Sequence, residues 1–251
     1  MTAASDMFAF PPRRRAERLS VAVVSELVEL IVTGQLTENE LLPPEGPLSE
    51  HFGVSRTVIR ESVKLLEEKG LVIVTQGRGT QVARSGSWNM LDPLVLSALI
   101  DNDESLGILD ELTVVRGNLE SAMAGATAAR RTAEELTRIE HALQVMRDSQ
   151  HESDSFRQAD VVFHLTVMEL SRNHLAENIA KRLYLRALES KRFHGLGYEN
   201  AFQSTLDEHA TVVEAIGRQD ATAAEEAMRH HIITSWQRRR FESPQPQGAQ
   251  A

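Results

Sequence analysis

Four residues in the C-terminal two-thirds of this 251-residue chain interrupt apolar helical stripes with groups able to bind protons or metals. His209 holds a core position between Leu206 and Val213, and His231 holds the corresponding place between Met228 and Ser235. Asp160 and His164, four apart, lie beside Phe163 and Val167 on one helix. A buried neutral imidazole is tolerated when hydrogen-bonded, whereas a buried carboxylate needs a positive partner. A metal ion would satisfy all four together. Imidazole and carboxylate suit Zn²⁺ and comparable first-row ions, and an i, i+4 pair lets one helix supply two ligands. Each residue also has a plainer reading. Any one of nine histidines can be a satisfied core or surface residue. Asp160–His164 can be an exposed helix pair worth about 0.3–0.5 kcal/mol.

A second constellation lies in the first third of the chain. Arg56, Arg60 and Lys64 recur at i, i+4 and i+8, with Ser55 and Thr57 at the helix entrance. Ile59, Val63 and Leu66 form the face of the same helix that is expected to meet a core. A basic stripe beginning at a helix N-terminus suits a DNA major groove, where arginine pairs bidentately with guanine. A solvated amphipathic helix is the plainer alternative. The formal charge of −9 speaks against DNA binding only if it is spread evenly. It is not: residues 1–85 are close to neutral and the acidic excess lies beyond them, so the N-terminal third can present a local basic face.

The elements that must hold these groups follow from period and punctuation. Residues 1–16 lack periodicity and read as a flexible arm. Val23, Val24, Leu27, Leu30 and Ile31 make one helical face that stops near Gly34, and a Pro43-Pro44 turn leads into a short helix closed by Gly53. The basic helix follows and ends at Gly70. Residues 71–74 and 80–82 then read as strands around Gln76-Gly77-Arg78-Gly79, a hairpin with Arg78 at its tip. This order is that of a winged helix-turn-helix over 17–84. Residues 85–93 form a linker, and 94–242 is helical by period throughout, an all-α bundle of about six or seven helices. Its apolar faces include Ile108, Leu112, Val115, Leu119, Ala122 and Ala126, and later Leu175, Ile179 and Leu183. A Pro/Gln tail, 243–251, is expected to be disordered. The fold class is therefore mainly α. With no cysteine there is no disulfide framework, and no apolar run reaches the roughly 18 residues of a membrane helix, which fits a cytoplasmic protein.

Four separated pieces carry a family resemblance: Leu42-Pro43-Pro44-Glu45, then Gly53 to Glu61, then Gly70-Leu71-Val72, then Gly77-Arg78-Gly79-Thr80. In order and spacing they resemble the GntR family of bacterial transcription regulators. The resemblance implies that Arg56 and Arg60 contact bases and backbone, that Thr57 contacts phosphate and that Gly77 enters the minor groove. The family usually has an arginine just after Pro-x-Glu. Gly46 stands there instead, which implies a different operator sequence. The helical part, with Asp160 to His164, Glu208-His209 and His231 twenty-two residues later, is similar to the effector domain of the FadR-type branch. Members with this pattern hold a divalent metal through residues matching Asp160, His164, His209 and His231. Zinc is the first expectation, with nickel or manganese as alternatives. The apolar phase and the family spacing both select His231 over His230.

A metal inside a regulator serves to hold a ligand, and arginine is a natural second anchor because its fork fits a carboxylate. Arg116 interrupts a long apolar face, Thr205 precedes His209 by four, and Arg238 follows His231 by seven. All three are expected to line the pocket. The plainer readings are an i, i+4 pair of Arg116 with Glu120 and a solvated C-terminal turn for Arg238. The linker Ser87 to Pro93 resembles that of sugar-acid regulators, the galactonate-responsive type in particular. The expectation is a homodimeric repressor on double-stranded operator DNA, released by a small sugar acid bound at the metal. The alternatives are a metal sensor and a metalloenzyme fused to a DNA-binding module. The sequence offers the latter neither a His-Glu-x-x-His motif nor a recognisable catalytic base.

Overall fold

The computed structural model describes residues 15–194 and 202–242. The chain divides into two compact units between Ala98 and Leu99. The expected N-terminal arm lies outside the described residues except for its last two, which already belong to helix α1 (Arg15–Val32). The expected C-terminal tail lies outside them altogether.

In the first unit, α1 buries Val23, Val24, Leu27, Val28 and Ile31 along one face, which packs on α3 (Arg56–Glu68). Between them α2 (Glu45–His51) starts at Pro44, whose fixed φ suits a helix entrance. Ser55 caps α3 by accepting the Val58 amide. The buried side of α3 is Val58, Ile59, Ser62 and Leu66, with Val63 only half-buried, so it is turned from the expected Ile59–Val63–Leu66 stripe. The reason is chemical. Ser62 enters the core because its hydroxyl donates to the Val58 carbonyl at 2.9 Å, and hydropathy has no sign for a polar residue satisfied this way.

Gly70 ends the helix at φ +73°, and a Cβ there would lie 2.2 Å from the Ser87 carbonyl oxygen, so only glycine fits. Strands β1 (Val72–Thr75) and β2 (Gly79–Val82) pair antiparallel, Val72 with Val82 and Thr75 with Gly79. Gly77, at φ +77°, supplies the left-handed residue of the hairpin tip.

Helix α4 (Pro93–Asn102) opens on Asp92, whose Oδ1 accepts the amides of Leu94 and Val95. Then come α5 (Gly107–Arg130), α6 (Ala133–Asp148), α7 (Ser153–Leu170), α8 (His174–Glu189), the short α9 (Lys191–His194), α10 (Phe202–Gly217) and α11 (Ala221–Glu242). Among the described residues the helical part thus has eight helices, where about six or seven are expected from period. The expected capping box at Thr132–Glu135 is formed. The main core joins α5, α6, α7, α10 and α11 through Ile139, Phe156, Phe163, Leu206, Ile216 and Met228 among others.

Helix α5 is the axis of this unit and packs on α7, α8, α10 and α11. Its buried face departs from the expected one. Val115 is 43% exposed and Ala122 is exposed, while Thr113, Arg116, Glu120, Ser121 and Thr127 are buried. A helix with neighbours on several sides buries a wide face, and the polar residues on it pair inside: Thr113 donates to Leu109 O and Thr127 to Val167 O. Leu175, likewise expected on an apolar face of α8, is 74% exposed, and Ala176, Ala180, Leu183 and Tyr184 are buried instead.

Candidate metal centre and nucleic-acid interface

Three helices converge on one dry point. Asp160 and His164 come from consecutive turns of α7, His209 from α10 and His231 from α11. Each is at most 3% exposed. One ligand atom from each lies within 4.8 Å of all the others, a group that could hold a metal ion. The Nε2 atom of His164 is 3.2 Å from that of His231 and 3.3 Å from that of His209. Asp160 Oδ1 lies 3.6 Å from His209 Nε2 and 3.9 Å from His164 Nε2. Four ligands in a tetrahedron at the roughly 2.1 Å bond length of zinc to nitrogen would sit about 3.4 Å apart.

The proton inventory points the same way. His164 Nδ1 lies 2.7 Å from Glu120 Oε2, and His231 Nδ1 lies 2.8 Å from Glu208 Oε2. Burial opposes ionisation of Glu120, but Arg116 and then His164 outweigh it and lower its pKa to about 2. Burial likewise opposes ionisation of Glu208, and hydrogen bonds from His231 and Arg238 lower it to about 2. Ionised carboxylates only accept, so both imidazoles donate through Nδ1 and turn Nε2 lone pairs toward the centre. Burial first, then the neighbouring histidines and Arg239, push the His209 pKa well below its ordinary value and keep that ring neutral. Asp160 Oδ2 accepts from Tyr184 Oη at 2.7 Å, whereas the buried Asp160 Oδ1 has no hydrogen-bond donor. Three imidazole Nε2 atoms and a carboxylate oxygen without a donor converge on this point, and a cation is a group that satisfies all four. The donor set fits one.

Two carboxylates that orient the histidines were invisible to period. Glu120 is 44 residues from His164 in sequence and Glu208 is 23 from His231. Glu120 is marked in sequence only as the i, i+4 partner of Arg116, a spacing that does not show it orienting a histidine. Tyr184 has no sequence signal at all. The remaining histidines with described side chains, His51, His141, His151, His174 and His230, are exposed. The side chain of His194 lies outside the described residues.

A cavity opens beside the cluster, lined among others by Thr113, Arg116, Tyr184, Phe193, Trp236 and Arg239. As the side chains stand it is about 10 Å³, room for roughly one water. Of the three residues expected to anchor a ligand, Arg116 lines this cavity. Its Nε donates to Glu120 Oε1 at 2.6 Å and its guanidinium lies 3.7 Å over the Tyr184 ring. Thr205 is buried in α10 but is not among the lining residues. Neither is Arg238, which clamps Glu208 with both Nη atoms at 2.6 and 2.9 Å and so backs the carboxylate that holds His231.

In the other unit the expected DNA-facing residues are all in solvent: Ser55, Arg56, Thr57 and Arg60 at the start of α3, and Gly77 and Arg78 at the hairpin tip. Arg60 Nε donates to both oxygens of Glu45, at 2.8 and 2.9 Å. Gly46 lies beside Arg56, where an added Cβ would be 3.6 Å from Nη2.

A winged helix followed by a helical bundle around a buried donor cluster defines a class, the ligand-responsive DNA-binding regulators. Residues 19–82 match the bacterial regulatory proteins of the gntR family, and residues 111–234 match the FCD domain. The galactonate operon transcriptional repressor of Escherichia coli K12 is 32% identical over 86% of this chain and 94% of its own length. The Uxu operon transcriptional regulator of the same organism is 30% identical over 89% and 87%. A solved structure of Lar, which controls expression of the Listeria monocytogenes agr system, covers 93% of this chain and 99% of its own. Its TM-score is 0.56 at 16% identity, a likeness of fold alone. The chain belongs to the GntR family and carries its FCD effector domain. It is a transcription regulator and not an enzyme, which removes the metalloenzyme alternative. No helix among the described residues is long and apolar enough to cross a membrane.

Proposed function

We propose that this protein is a cytoplasmic, homodimeric repressor of sugar-acid catabolism, released from its operator by a small sugar acid bound at a divalent cation. The observation that carries the reading is the buried Asp160–His164–His209–His231 group with its unsatisfied Asp160 Oδ1. Zinc suits this neutral-imidazole and carboxylate set, with nickel or manganese as the competitors. When bound, the cation supplies a Lewis-acidic point for a carboxylate and its neighbouring hydroxyl. The sugar-acid class is supported by the similarity to the galactonate operon repressor and the Uxu operon regulator. Arg116 is the effector-side arginine, Arg238 supports the cluster through Glu208 from outside the cavity, and Thr205 lies buried one turn before His209 on α10.

A cavity with room for about one water cannot take a sugar acid without moving its walls. A ligand that favours one arrangement shifts the population toward it, and such a shift links occupancy to DNA affinity. In the DNA unit, Arg56 and Arg60 read the major groove, Ser55 and Thr57 meet phosphate, and Gly77 and Arg78 approach the minor groove. Two copies then address the halves of a pseudo-palindrome.

The test is operator binding titrated with D-galactonate and other sugar acids, before and after chelation. Release by an acid only in metal-loaded protein supports the reading. Release by chelation alone would make the ion itself the signal, and no release by any acid would sink the sugar-acid reading.

A further inference from the structure

The cavity beside the donor cluster is too small for an effector as its side chains stand, so one wall must give. Its walls come from α5, α7, α8 and α11, helices of 24, 18, 16 and 22 residues, and from Phe193 on the four-residue α9. A single helical turn has few internal hydrogen bonds to resist displacement, so α9 is the wall that yields most readily. Phe193 is buried there, its ring stacked on that of Trp236 with centroids 5.7 Å apart.

The same turn is fastened to the end of another helix. Arg192, the residue before Phe193, donates from Nε to Asp101 O at 3.0 Å and from Nη1 to Asp103 O at 3.4 Å. Ser190 Oγ donates to Asp101 Oδ1 at 2.9 Å and accepts the Arg192 amide at 3.3 Å, which makes the three residues one joint. Asp101 and Asp103 flank Asn102, the last residue of α4. Carbonyls at a helix end lack intrahelical donors, and a guanidinium there satisfies them and meets the negative end of the helix dipole. Arg192 thus caps α4 from the segment that carries a cavity wall.

The other end of α4 is also held by a cation. Asp92 accepts the first amides of α4 on Oδ1 and accepts from Lys69 Nζ on Oδ2 at 2.6 Å, with both side chains largely buried. Lys69 is the C-cap of α3, and its carbonyl accepts the Asn89 amide at 2.9 Å. Helix α4 runs across the point where the chain divides into two units, with the end of α3 fastened at its start and α9 at its finish.

From this geometry we propose that Arg192 couples effector binding to operator release. An effector that displaces Phe193 draws Arg192 with it, and the capped end of α4 carries the displacement toward Lys69 and α3. The inference rests on the sugar-acid reading above and adds the residue through which occupancy reaches the DNA-binding unit. Arg192 is not among the residues that line the cavity, so it is a positioning residue and not an effector ligand.

Zinc-loaded, full-length wild type and Arg192→Ala are compared for operator affinity with and without saturating D-galactonate, and for galactonate affinity by calorimetry. In wild type galactonate is expected to lower operator affinity by about 5–150-fold, the usual size of such coupling, and in Arg192→Ala by no more than about twofold. Zinc content, galactonate affinity and operator affinity without effector are expected to be retained in the variant. Should Arg192→Ala not fold, Arg192→Lys keeps a cation at the end of α4 but loses the fork, and is expected to show a reduced factor. The wild-type factor retained in the variant, or galactonate or zinc binding lost from it, overturns the role of Arg192 alone. Wild-type protein whose operator affinity galactonate leaves unchanged overturns the sugar-acid reading, and the inference with it.

Discussion

Each unit of this chain contains an arginine–glutamate pair of nearly the same length, and the two behave as different objects. In the DNA-binding unit Arg60 meets Glu45 at 2.8 Å, with side chains 68% and 41% exposed. In the effector unit Arg116 meets Glu120 at 2.6 Å, with side chains 6% and 1% exposed. In water such a pair is weak and separable, so Arg60 can leave Glu45 for a phosphate or a base edge. In the dry interior neither charge can leave, and the pair acts as one rigid part that aims the second Glu120 oxygen at His164. On the proposed function, the chain uses one chemical pair as a releasable hold on a reading residue and as a fixed brace for a metal ligand. Solvent decides which.

Breaking the buried pair should therefore give the largest effect. Glu120→Ala leaves a guanidinium buried without its partner and His164 Nδ1 without its acceptor. The expected loss of stability is about 3–5 kcal/mol, read from thermal or denaturant unfolding. The double variant Arg116→Met with Glu120→Leu removes both charges and should recover most of that loss. It should still bind zinc about 10–100-fold more weakly, because His164 stays unoriented. A double variant with wild-type zinc affinity would show the pair to be structural only.

Removing a ligand itself leaves the brace intact and isolates the metal. His209→Ala should lower zinc affinity by more than about 100-fold, beyond what loss of an orienting partner costs. The operator complex formed without effector should be unchanged, and release by sugar acid should be lost. Full zinc occupancy in this variant would refute the assignment of the site.

On the exposed side the effects should be smaller and confined to DNA. Arg56→Ala removes a side chain in solvent, so unfolding and zinc content should not move. Specific operator affinity should fall by an amount corresponding to about 1–3 kcal/mol, measured by mobility shift or anisotropy at fixed salt. Unchanged affinity would mean that α3 is not the reading helix.

The same contrast accounts for what the sequence revealed. The winged helix was legible because its signals are local: glycines at Gly53, Gly70 and Gly77 where φ is positive, a Pro-fixed turn and a basic stripe left in solvent. Asp160, His164, His209 and His231 stood out as polar residues at or beside apolar phase, and the family resemblance marked them as a set. Arg116–Glu120 has the spacing of an ordinary surface pair, and it is a pair. No period distinguishes the buried version, which is why Val115 was expected inside and Arg116 was not assigned to a brace. Glu208 and Tyr184 meet the cluster through tertiary contacts from other helices, which a single sequence does not encode in any spacing.

The smallest expected effect is the most direct test of separability. Glu45→Gln keeps an acceptor for Arg60 Nε but removes the negative charge beside the recognition helix. If the exposed pair only parks Arg60 between encounters with DNA, protein stability and zinc content should be unaffected. Specific operator affinity should change by no more than a few-fold. Non-specific affinity should rise slightly, because one acidic charge no longer opposes the phosphates, and the rise should fade as salt screens it. A large loss of specific binding would instead mean that Glu45 holds Arg60 in its reading geometry on the DNA. The exposed pair would then be a brace like the buried one, and the distinction between the two units would rest on burial without any difference in role.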